Sequence, residues 1–263
     1  MEFLKIVRRR SFVSEVIYTA MNIALALAVV LVIKATGSPW PAIGLVFLSK
    51  WRVLAVRPRY WFANVQANLV DLIVSISLVV FLDATYLSTA ATLQKLVILV
   101  GLTTLYIGWL LFLKPRSKRS YVVSQAGVAL FAGVAALYTL SYDWPVFVVV
   151  LLMWLIGYAT ARHVLASYDE THISFLSLLW GFVMAEFGWL VYHWTVSYGF
   201  PRVALVILCI GFVLQKSYDS FYHHQTIRRN DIILPLVFAI SIIIILPPIL
   251  NLILPGRSFP IGL

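Results

Sequence analysis

Sixteen of the twenty Lys and Arg residues sit in alternate short connections between apolar runs of fifteen to twenty-four residues. A helix rises about 1.5 Å per residue, so a hydrocarbon core about 30 Å thick takes roughly 20 residues to cross. Runs of this length, with basic residues on every second connection, specify a chain threaded back and forth through a bilayer. Connections left in the cytoplasm retain Lys and Arg. One set holds Lys5, Arg8, Arg9 and Arg10; Lys50, Arg52, Arg57 and Arg59; Lys114, Arg116, Lys118 and Arg119; Arg162; and Lys216, Arg228 and Arg229. The other keeps Lys34, Lys95, Arg202 and Arg257.

The sequence therefore predicts an all-α polytopic membrane bundle of about nine transmembrane helices. The N-terminus would be cytoplasmic and the C-terminus on the other side. The spans expected are 14–33, 38–55, 62–84, 92–113, 121–141, 145–162, 173–196, 202–216 and 232–254. All 263 residues form one transmembrane domain, with 1–13 as a basic cytoplasmic segment. A bacterial cytoplasmic membrane is the expected location. With 62% hydrophobic and 11% charged residues, only a bilayer can serve as solvent for so much apolar surface.

Two spans are irregular. In 38–55, Pro41 stands near the start and Lys50 and Arg52 near the end, so those two cations are expected to snorkel to the headgroups. In the last span, Pro247-Pro248 should break or end the helix, leaving open whether 247–254 completes the crossing.

The net charge of +10 follows from the positive-inside bias and suits anionic lipid headgroups, with no basic stretch long enough for nucleic acid. The single cysteine, Cys209, lies in an apolar run as a small core residue. Gly127, Ala129, Ala132, Gly133, Ala136, Gly157 and Ala161 mark places where helices can approach closely.

Ionisable groups deep in apolar spans are expensive and are candidates for function. Asp71 and Glu186 are such groups. Asn64, Asn68, Asp71 and Ser75 follow one another at spacings of four, three and four and share a helical face. Such a stripe fits an ion path or a hydrogen-bonded seam. Glu186 and His193 share a face of the seventh span, where they could relay protons. Both carboxylates are expected to face the interior without a basic partner, and Asp71 to open on a cavity shared with Asn64 and Asn68. The leading expectation is a secondary transporter or permease coupled to protons or cations, with Asp71, Glu186, Asn64, Asn68 and His193 binding ion or substrate.

The basic-side connections offer a second constellation: His163, His172, Asp169 and Glu170 in one, and His223 and His224 in the next. These six could hold a divalent metal, with Arg228 and Arg229 available for a phosphate. No His-x-x-x-His or His-Glu-x-x-His spacing occurs, so solvated loops touching headgroups are the simpler reading and no cofactor is expected beyond that metal. An enzyme or binding protein for a lipid-linked phosphate is the first alternative. A structural or assembly subunit, with a membrane-protein partner or a second copy, is the next.

Overall fold

The computed structural model describes residues 12–51, 55, 57–141, 143–168, 170–194 and 202–253, and the side chains of these except 12–14, 193, 194, 202 and 246–253. The basic segment up to Ser11, together with Arg52, Asp169 and the side chains of His193 and Asn251, lies outside the described residues.

The described residues form nine helices and no strand: α1 (Phe12–Thr36), α2 (Pro39–Ser49), α3 (Trp61–Leu87), α4 (Thr92–Gly108), α5 (Arg119–Leu140), α6 (Val146–Leu165), α7 (Ile173–Trp194), α8 (Arg202–His224) and α9 (Arg229–Ile253). A π-helical turn, Trp109–Leu113, extends α4. Seven helices, α1 and α3 to α8, are long and apolar enough to cross a membrane. The chain is an integral, multi-pass membrane protein.

The expectation of nine crossings is corrected at α2. It has 11 residues, about 16 Å of helix, and ends where Lys50 caps it. It begins in a tight turn: Gly37 adopts φ 63° and its amide donates to Ile33 O at 2.9 Å, closing α1 in a left-handed cap. Pro39 then starts α2, where its missing N–H costs nothing. The helix returns only partway across the bundle. Alternation of the connections survives, because Lys50 and Lys114, from two basic connections, meet the same carboxylate, Asp71.

The last helix brings a second correction. α9 remains helical through Pro247-Pro248 to Ile253. In lipid, interrupting a helix exposes backbone groups that no water can satisfy, so the helix outlasts the two prolines.

The centre of the bundle is α5, buried on several faces by α3, α6 and α8. Within a bilayer lipid tails are as apolar as Leu, so close packing rather than expulsion of water holds helices together. Gly133 lies against α3, where a Cβ would come within 2.7 Å of Ile73 Cγ2. The tightest pairing is α6 with α7, and it works by exchange. Met184 of α7 fills the space over Gly157, 2.5 Å from where a Cβ would stand, and Met153 of α6 fills the space over Gly188. Peripheral helices complete the shell, with α7 packed on α6 and α9 on α8.

Candidate functional site

Asp71 is 7% exposed and sits ten residues into α3, about 24 Å from that helix's far end. Its Oδ2 is bound by Lys50 Nζ and, at 2.9 Å, by Lys114 Nζ; its Oδ1 accepts Trp109 Nε1–H at 2.9 Å. The expected lack of a basic partner is therefore corrected. A short α2 ends at the depth of Asp71, so Lys50 turns inward instead of snorkelling. The π-turn brings in the other two donors. Residues five apart on an α-helix point about 140° away from each other, and the wider turn, with Lys114 N–H bonded to Trp109 O at 2.9 Å, closes that angle. Trp109 and Lys114 thus reach one carboxylate.

Beside Asp71 the polar stripe bonds locally. Asn68 Nδ2 donates to Asn64 O at 2.8 Å, back along its own helix. Gln66, between them, reaches Tyr158 Oη on α6 at 2.8 Å. With its charge met by two lysines, Asp71 serves as a junction between α2, α3 and the end of α4.

Glu186 is exposed on the outer face of α7, opposite the small-residue face that packs on α6. This corrects the inward placement. The physical reason is the packing: Ser177, Gly181, Met184 and Gly188 make the contact with α6, and Glu186 lies across the axis from them. His193 belongs to the same helix, but its side chain is outside the described residues.

The basic-side connections come together as the spacing alone could not show. Arg119 at the start of α5 lies over Tyr168, 4.2 Å from the ring centre, and 5.5 Å from that of Tyr222. Its guanidinium also reaches His223 Nε2 at 3.3 Å and donates to Ser167 O at 3.4 Å. Tyr168 Oη donates to Asp219 Oδ1 at 2.9 Å and accepts from Gln215 Nε2 at 3.0 Å. Tyr218 Oη donates to Glu170 Oε2. That bond, with the His172 amide, holds the Glu170 carboxyl below its ordinary range. Connection 166–172 and the end of α8 are thereby one surface. Arg119, Tyr168 and Tyr222 were missed as a set because each reads alone as a topological charge or interfacial aromatic.

Asp169 lies outside the described residues, and the other five metal candidates do not converge. His163 is taken by Gln125, whose Oε1 lies 2.7 Å from its Nε2, while Gln125 Nε2 donates to Leu113 O and Arg116 O at 2.7 and 2.9 Å. His223 lies 3.6 Å from Asp219 and His224 3.9 Å from Asp231. Among the described residues, no three His, Cys, Asp or Glu side chains converge on a point.

Beside this surface, α8 and α9 diverge to leave an open groove of about 620 Å³. Phe212, Leu234, Pro235 and Phe238 line its deep part, the two phenyl rings meeting edge to face at 6.3 Å. Lys216, Asp219, Ser220, His223, His224, Asn230 and Asp231 line its mouth. Ser220 Oγ donates to Asp231 Oδ2 at 2.7 Å and accepts the Arg228 amide at 3.1 Å, which fixes the turn from α8 into α9. Phe212 lies about 6 Å along α8 beyond Lys216, on the apolar side of the groove. The groove thus joins an apolar wall to a charged one. Neither a family model, nor a curated protein, nor a solved structure matches this chain.

Proposed function

We propose that the chain binds a phosphorylated lipid, or a lipid-linked phosphate, in the groove between α8 and α9 at its basic, cytoplasmic end. The observation that carries this reading is the two-part wall: Phe212, Leu234 and Phe238 below, Lys216 with His223 and His224 above. An acyl chain lies along the phenyl rings. The phosphate meets the Lys216 ammonium and the imidazoles. Asp219 and Asp231 already accept from Tyr168 and Ser220, so they repel the phosphate less than free carboxylates would. Each histidine stands beside a carboxylate, the arrangement a general base requires, so chemistry on the bound phosphate is the natural extension.

Binding comes first and is directly measurable. The purified protein in neutral phosphatidylcholine nanodiscs is titrated with phosphatidic acid, or with diacylglycerol of the same chains, and read by native mass spectrometry. Phosphatidic acid is retained and diacylglycerol is not, and Lys216→Ala with His224→Ala abolishes the difference. Equal retention of the two lipids, or a difference untouched by both substitutions, rejects the reading.

A further inference from the structure

Helix α7 carries a carboxylate on the face that its packing leaves outermost. Phe175, Leu179, Phe182, Glu186 and Trp189 recur at spacings of four, three, four and three, which holds them in one stripe along the helix. The four apolar members are 66%, 53%, 59% and 54% exposed. Glu186 interrupts them about 4 Å from the midpoint of the helix, and it has no hydrogen bond or ion pair among the described residues. Lipid covers the four apolar side chains without cost. It cannot cover an ionised carboxylate at that depth, and such groups in membranes turn inward or find a partner. Inward is closed to Glu186, because Gly157 and Met184 set α7 on α6 so tightly that the helix cannot roll.

We infer that the Phe175–Trp189 stripe of α7 is a docking face for a transmembrane helix of another protein that presents a Lys or Arg at mid-bilayer depth. Charge selects the occupant. A second copy of this chain would set Glu186 against Glu186 in a two-fold contact, where like charges repel. Of the cations on its own described spans, Lys34, Lys95, Arg119 and Arg162 lie near helix ends, Lys50 and Lys114 are bound to Asp71, and Lys216 lies past the midpoint of α8 toward its His224 end, in the lining of the groove. Phe182 and Trp189 flank the carboxylate one turn to either side and would pack on the partner's backbone while the charges meet. The inference is independent of the lipid groove, which lies between α8 and α9.

The test uses the full chain in liposomes with two synthetic helices, a Leu-rich transmembrane peptide with one central Lys and the same peptide with Leu there. Energy transfer from donor-labelled protein to acceptor-labelled peptide reports association. The Lys peptide is expected to associate about threefold to thirtyfold more strongly than the Leu peptide, and Glu186→Gln, which keeps the shape, removes that excess. Transfer between copies of the protein measures the competing occupant. Equal association of the two peptides, an excess that survives Glu186→Gln, or self-association lost in Glu186→Gln would each overturn the proposal.

Discussion

Removing the Asp71 charge should cost far more than removing either of its partners' surplus. In the fold two ammonium groups share one carboxylate: the Asp71 side chain is 10% exposed, Lys50 13% and Lys114 30%. Asp71→Asn keeps the shape but leaves two cations facing each other away from water. Breaking a buried pair from one side typically costs about 3–5 kcal/mol, because the survivor is left uncompensated. Here there are two survivors, so the upper half of that range applies. Lys114→Met works in the opposite direction, since it leaves a neutral Lys50–Asp71 pair. Lys114 is also about a third exposed, so its own attraction is screened, and the net loss should be about 1 kcal/mol or less. Reversible unfolding in mixed micelles, followed by circular dichroism, measures both. The order Asp71→Asn much worse than Lys114→Met is the prediction. An Asp71→Asn variant as stable as the parent, or a Lys114→Met variant that loses more, would refute the reasoning about the shared carboxylate.

Two further outcomes follow from named contacts. Gly157→Ala puts a Cβ within 2.7 Å of Met184 Cβ as well as its Cγ, so α6 and α7 must part; a loss of about 1–3 kcal/mol is expected in the same assay, restored in part by Met184→Ala. Glu170 is held below the ordinary carboxylate range by the Tyr218 hydroxyl, so its contribution to stability is present above its unfolded pKa and is lost as pH falls through the lower folded value. Carbon-detected NMR of labelled Glu should show Tyr218→Phe moving that titration upward toward 4.5, and no movement would deny the bond its role.

Much of the architecture could be read from the chain. Basic residues on alternate connections gave the threading, and of the nine spans read from the chain seven are helices long and apolar enough to cross. The failure at α2 has a physical source. An apolar segment with Lys50 at its end has the composition of a short span whose lysine snorkels, and also of a half-helix whose lysine is buried, because a lysine stem is apolar either way. Only the position of Asp71 on the neighbouring helix separates the two, and that needs the register between α2 and α3. Trp109 and Lys114 were hidden more deeply, since a π-turn changes the helical period and no composition rule announces it. Glu186 was misread as facing inward, although the chain carries a sign of the opposite. Ser177, Gly181 and Gly188 mark one side of α7 as the face that packs closely, and a residue across from them faces outward. The basic-side connections were read as one constellation, but Arg119, which joins Tyr168 to Tyr222, was not part of it because it comes from a distant part of the chain.

A phosphorylated lipid held in the groove between α8 and α9 should be caught there by photolabelling. Phosphatidic acid with a diazirine midway along one acyl chain is incorporated into liposomes with the protein, irradiated, and the adducts are mapped by peptide mass spectrometry. Labelling should concentrate on the segments bearing Phe212, Leu234 and Phe238, fall when unlabelled phosphatidic acid is added, and persist with added diacylglycerol. Adducts spread evenly over the outward faces of α1, α4 and α7, or competed equally by the two lipids, would contradict the account.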